Sequence, residues 1–151
     1  MSIDFSLSPE LEEMRLRVRD FIEREVKPVE EVIEREKLAE QDRNGYVSKL
    51  IEMRKKAFAE GLWLPHMPEQ WGGMGLGHVQ LAMVQAEAAK SHYGPWVLNC
   101  QAPDEGNMHT LLHWGTEEQL EKYLKPLCEG RATSCFAMTE PEVAGSDPTL
   151  I

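Results

Sequence analysis

The sequence has 151 residues, 42% of them hydrophobic and 28% charged, enough to bury one core and form one domain. Sixteen basic against 26 acidic side chains give a net charge of −10, which argues against a nucleic-acid duplex or an anionic membrane as partner. No apolar run approaches the ~20 residues of a membrane span, and the N-terminus lacks the basic-then-apolar order of a signal peptide. Cys100, Cys128 and Cys135 are too widely spaced for a zinc site or disulfide framework, which fits a reducing cytoplasm.

Ser8-Pro9-Glu10 opens the first predicted helix. Ser8 suits the N-cap, Pro9 the first helical position, and Glu10, Glu12 and Glu13 the positive end of the dipole. Leu11, Met14, Val18, Phe21 and Ile22 share one face. Pro28 is expected to kink or end this helix near Val26. The charged stretch from Val29 to Leu38 can continue it, its charges forming a solvated face. A polar connection from Gln41 to Gly45 precedes a helix from Tyr46 to Glu60, with Leu50, Met53, Ala57 and Phe58 as its buried stripe and Gly61 as its left-handed cap.

Leu62 to Gly77 reads as a long loop anchored by Trp63 and Trp71. Its glycine-rich end superficially suggests a phosphate loop. No strand precedes it and no Gly-Lys-Ser/Thr follows, so a turn before the next helix is the better reading. His78 to Ser91 is a helix with Leu81, Val84 and Ala88 inward. After Gly94-Pro95 comes a short piece, Trp96 to Ala102. Asp104 is a plausible N-cap for Glu105 to Trp114, which turns Met108, Leu111 and Leu112 inward. Thr116-Glu117-Glu118-Gln119 is a capping box for a last helix with Leu120, Tyr123, Leu124 and Leu127 on its buried face. Cys135 to Met138 then reads as a strand, turning at Thr139-Glu140-Pro141 and closing on Gly145-Ser146-Asp147. The fold class is therefore mainly α, with one strand at its C-terminal end that has no sheet to join.

Chemistry concentrates in that terminal stretch. A strand emptying into a Gly/Ser turn offers outward N–H groups, hydroxyls and close approach for an anionic or heteroaromatic ligand. Thr139 and Ser146 are the strongest candidates; an ordinary β-turn is the alternative. His109 and His113 have metal-ligand spacing on one helix but no third ligand, so no metal site is assigned. Glu140 reads as a local hydrogen-bond acceptor before it reads as a base.

Phe136-Ala137-Met138-Thr139-Glu140-Pro141, a short spacer and Gly145-Ser146-Asp147 resemble the signature of the acyl-CoA dehydrogenase family. Pro68-Glu69-Gln70-Trp71-Gly72-Gly73-Met74-Gly75 and the run from Gly115 to Leu127 are similar to two further family segments, in the same order. The spacer and the stretch from Asn99 to Asn107 are most like the branch that in animals includes acyl-CoA dehydrogenase family members ten and eleven. The resemblance implies an N-terminal helical domain over 1–132 and the start of a middle β-domain over 133–151. It further implies FAD, an acyl-CoA substrate, an electron-transfer flavoprotein as oxidant and a homo-oligomer, dimer or tetramer. Carried over by position, Phe136, Ala137, Met138 and Thr139 would face the flavin. Gly145 and Ser146 would approach its phosphates, and Ser146 would also touch the acyl-CoA. Phe136 stands where many members carry Tyr, and it lacks that phenol. The family's catalytic Glu belongs to its C-terminal bundle, so no residue here is assigned as base and the chain is expected to be inactive alone. A non-enzymatic helical interaction module and a flavin acyl-CoA oxidase are the alternatives.

Overall fold

Ser8 caps the first helix as its position predicts, its hydroxyl accepting from the Leu11 N–H, and α1 runs Pro9–Phe21. The computed structural model describes residues 7–141 and Thr149. Pro28 does not end the helix. One wide π turn, Ile22–Val26, precedes α2, Lys27–Arg35, with Pro28 in the first turn of α2. The Lys27 N–H donates to the Ile22 carbonyl, five residues back. The wider turn takes up the steric demand of a ring that cannot donate and would crowd the carbonyl four residues before it. The same device recurs at Pro126, where a π turn at Leu120–Leu124 leads into α9, Lys125–Cys128.

Helix α3, Leu38–Gln41, and α4, Arg43–Ala59, occupy the stretch expected as a polar connection, because Asp42 caps α4 by accepting from the Gly45 N–H. Helix α5 spans His78–Ala88, α6 Gly94–Val97, α7 Asp104–Trp114 and α8 Glu117–Gln119, the last opened by the predicted Thr116 capping box. The 62–77 segment is irregular, with one 3-10 turn at Glu69–Trp71. A Cβ at Gly73 would stand 2.1 Å from the Met67 carbonyl oxygen, so this glycine serves chain packing.

Two apolar clusters fill the interior. Val18, Phe21, Ile22, Val26, Met53 and Leu98 belong to one; Trp63, Leu64, Met67, Met108, Leu124 and Leu127 belong to the other. Each such side chain contributes roughly 1.5–3 kcal/mol when fully buried. Buried polar bonds hold the last helices to the rest: Trp63 Nε1 donates to the Cys128 carbonyl at 2.9 Å and Asn99 Nδ2 to the Leu127 carbonyl at 3.1 Å.

Several charges expected at the surface are structural. Glu87 is 5% exposed and ties α1 to α5: its carboxylate accepts from Arg15 Nη1 (2.7 Å), Arg19 Nε and Nη2 (3.0 and 2.8 Å) and Lys90 Nζ (2.5 Å). Bonding to Arg19 first, then to Lys90 and Arg15, holds its pKa down to about 2 against the opposing effect of burial. Glu30, on α2, accepts from the Ser91 hydroxyl and the His92 N–H. Phe58, expected inward, is 65% exposed, and Arg54 takes the buried place on α4 instead. Tyr123 is also exposed, because the π turn rotates it off the face shared by Leu124 and Leu127.

Among the described residues there is no strand; Cys135–Met138 runs without a ladder. A strand exists through its neighbours' backbone, and none of the described chain lies alongside this one. No helix among the described residues is long and apolar enough to cross a membrane.

Candidate functional site

Asp104 and Asn107 fix the root of the terminal segment. Asp104 is not the N-cap of α7; Pro103 holds that position and Asp104 is the first helical residue. Its buried carboxylate reaches away from the helix, Oδ1 accepting from both the N–H (2.6 Å) and the hydroxyl (2.5 Å) of Ser134. One turn on, Asn107 Nδ2 donates to Ser134 Oγ at 2.8 Å and to the Cys135 carbonyl at 3.3 Å. Three of these contacts end on one serine, so the chain leaves the helical body at a set place and direction.

Beyond that latch the next residues lie at the surface. Phe136 is 69% exposed, Met138 is exposed, and Ala137 and Thr139 are exposed with them. Among the described residues the backbone of Phe136–Thr139 makes no hydrogen bond. Those amides, carbonyls and the Thr139 hydroxyl form one unpaired edge, suited to a flat heteroaromatic ring or to a pairing strand. Gly145 and Ser146 lie outside the described residues, so the expected convergence of Thr139 with Ser146 has no geometry here. Glu140 is exposed, and among the described residues no hydrogen bond or ion pair positions it as a base.

Two grooves flank the connector. One of about 430 Å³ lies between α7 and the last helices, lined by Asn107, Leu111, Tyr123, Leu127, Ser134 and Cys135. The other, of about 710 Å³, lies between α4 and the 129–133 turn, and both touch Ala132 and Thr133.

The histidines have a different arrangement from the expected pair. His109 and His113 stack with centroids 6.2 Å apart, and His66 from the long loop meets His109 at 5.2 Å. His66 is buried with neither ring nitrogen bonded. Burial, with a smaller push from His109, takes its pKa down to about 4. Among the described residues no three His, Cys, Asp or Glu side chains gather closely enough to hold a metal ion. All three cysteines are free; burial raises Cys100 to about 12 and Cys128 to about 11, while Cys135 is exposed.

Residues 8–131 match the family model described as acyl-CoA dehydrogenase, N-terminal domain. The chain belongs to the acyl-CoA dehydrogenase family. Acyl-CoA dehydrogenase family member 10 of Mus musculus is 42% identical over 150 residues, which cover 96% of this chain and 14% of that protein. Family member 11 of Homo sapiens is 38% identical over 143 residues, 93% of this chain and 18% of that protein. A solved structure, described as a "putative acyl-CoA dehydrogenase from Mycobacterium abscessus", superposes with a TM-score of 0.82 at 37% identity, covering 97% of this chain and 38% of that one. The acyl-CoA dehydrogenase relatives are therefore much longer: the chain spans less than a fifth of both curated relatives. The helical body is the family's N-terminal domain, and its latched exit is at Ser134.

Proposed function

We propose that this chain is the N-terminal portion of an FAD-dependent acyl-CoA dehydrogenase, and that Phe136–Thr139 forms one wall of its flavin site. The observation that supports this is the exposed, unbonded backbone edge of Phe136–Thr139, held at its root by Asp104 and Asn107. Exposed amides and a free Thr139 hydroxyl suit the carbonyl and nitrogen edge of an isoalloxazine. Carried over from the family signature, Gly145 and Ser146, outside the described residues, would meet the phosphates, and Ser146 would also meet the acyl-CoA. In this reading 1–132 is the helical domain and 133–151 opens a middle β-domain.

The overall reaction breaks two C–H bonds of an acyl-CoA thioester and forms a Cα=Cβ bond. The α-proton passes to a carboxylate base outside this chain. FAD, when bound, supplies the acceptor for the β-hydride, and an electron-transfer flavoprotein carries the electron pair onward. The residues here bind and orient: amides preorganised toward developing charge lower the barrier without reorganising at the moment of reaction. No residue of the chain is assigned as base. A homo-oligomer, dimer or tetramer, in a reducing cytoplasm completes the proposal, and the three free thiols fit that compartment.

Flavin absorbance after reconstitution and acyl-CoA-dependent dye reduction test the reading. The 151-residue chain is expected to turn over no acyl-CoA. A continuous protein carrying it is expected to bind FAD and reduce dye, with Thr139→Ala weakening FAD retention. Stoichiometric FAD and turnover by this chain alone would refute the incompleteness, and a longer protein without flavin would refute the activity.

A further inference from the structure

Arg54 is the strangest charge in the fold. It sits on α4 with only 8% exposure. Its guanidinium carbon lies 4.3 Å from the centroid of Trp96 and 4.8 Å from that of Trp63. Nε and Nη2 are sealed from solvent and bonded to nothing. Gly130 closes over it: a Cβ at that position would come within 3.3 Å of Nη2. Nη1 is then the nitrogen that reaches the groove of about 710 Å³ that Arg54 lines. Two rings face the cation and contribute about 0.5–2 kcal/mol each, but a buried charge without a counter-ion costs several kcal/mol. Among the described residues Asp104 is the acid that acts on it through space, without a hydrogen bond to it, its Oδ1 being bonded to Ser134.

The rest of the groove says what would answer that charge. Val47, Leu50, Ile51 and Phe58 give it a mostly apolar wall, and three of them are exposed. Its other ionisable groups are Lys55, Glu129 and Arg131. Glu129 is paired with Arg131, which leaves Arg54 and Lys55 as the groove's cations without an ion-pair partner among the described residues, on a chain of net charge −10. A phosphate dianion is a poor match for apolar walls. A planar carboxylate at one end of an apolar body matches both parts.

The geometry points to this groove as a binding site for an amphipathic organic carboxylate, its head on Arg54 and its apolar body along Val47, Ile51 and Phe58 of α4. Lys55 at the rim steers the anion and Arg54 fixes it. The site is separate in observation from the flavin wall, so it stands or falls independently of the dehydrogenase reading.

The test is a titration of the 151-residue chain with decanoate, decan-1-ol and decyltrimethylammonium at constant ionic strength. The readout is the Arg54 Nε–H correlation in ¹⁵N spectra, assigned by its loss in Arg54→Gln. Decanoate is expected to saturate and move this signal, binding at least about ten-fold tighter than decanol, which corresponds to about 1.4 kcal/mol. In Arg54→Gln, which lacks that signal, the backbone amides of Val47 and Ile51 on the groove wall read the binding, and the two ligands should come level. If that variant fails to fold, Lys55→Glu, at an exposed position, should weaken decanoate several-fold and leave decanol unchanged. Equal binding of decanoate and decanol, or decyltrimethylammonium competing as well as decanoate, would reduce the site to an apolar groove and overturn the proposal. Inorganic phosphate moving the Arg54 signal while decanoate does not would overturn it as well.

Discussion

Replacing Glu87 with Gln removes one charge on which three cations converge. The carboxylate titrates near 2 in the folded chain against an ordinary value of 4.5. At 1.36 kcal/mol per unit, that difference amounts to about 3 kcal/mol of stability. Arg19 and Lys90 have 40% exposed side chains and can return to water when the partner is lost. Arg15 is more enclosed, so about 2 kcal/mol is the expected cost for Glu87→Gln at pH 7. The folded pKa is depressed, so the contribution is fully present above pH 4.5 and is lost as pH falls from 4.5 toward 2. Urea unfolding followed by far-ultraviolet circular dichroism measures it. With a slope of about 2 kcal/mol per molar, the midpoint should drop by about 1 M at pH 7. At pH 3.5 the gap between the two proteins should shrink by roughly a third to a half. A midpoint shift below about 0.25 M at pH 7, or a gap that does not narrow with acid, would show that Arg15, Arg19 and Lys90 do not clamp α1 to α5 through this group.

Three further outcomes follow from the packing. His66 titrates near 4 instead of 6.5, so the folded state resists its protonation and loses stability as pH falls from 6.5 toward 4; His66→Phe should remove about 2–3 kcal/mol of the loss seen between pH 7 and 4.5, and unchanged pH dependence in urea melts would refute this. Asp104→Ala should raise hydrogen exchange at the Ser134 amide at least about ten-fold while amides in the middle of α7 keep their protection; equal exchange in both proteins would refute the latch. Gly130 and Gly61 both have positive φ, but a Cβ at Gly130 would press on Trp63 at 2.9 Å while Gly61 has open space. Thermal or urea melts should therefore find Gly130→Ala costlier than Gly61→Ala by about 1 kcal/mol or more; equal costs would mean the loop yields freely.

The helical order was legible because it rests on local chemistry. Ser8, Thr116 and Gly61 act within one turn of their own position, and all three do what their residue types predict. The misreadings share a cause. Pro28 is expected to kink or end the helix near Val26; a π turn at Ile22–Val26, which needs no special residue, carries the helix past it. Phe58 and Tyr123 were placed inward by counting 3.6 residues per turn, and Arg54 was not. Two indoles, Trp63 just past the end of α4 and Trp96 from α6, flank the buried guanidinium on that face. Nothing local marks Glu87, because its partners Arg15 and Arg19 lie about seventy residues away.

The terminal segment divides along the same line. The family match itself covers residues 8–131. The segment's residue types, Phe136 to Thr139, carry a resemblance to the family signature, because the motif is written in the residues themselves. Its conformation is not, because a strand's hydrogen bonds belong to its neighbours. Cys135–Met138 carries strand-forming residues and still makes no ladder, since nothing among the described residues pairs with it. What the structure adds is the root. Asp104 follows a proline at the start of a helix, which by residue type alone is an N-cap. Its burial and its two bonds to Ser134, thirty residues on, reassign it to aiming the exit of the chain. Its charge still acts on Arg54 through space, but it makes no hydrogen bond to the guanidinium. Asp104→Ala should therefore perturb the Arg54 Nε–H signal through the lost charge as well as the Ser134 amide through the lost bonds.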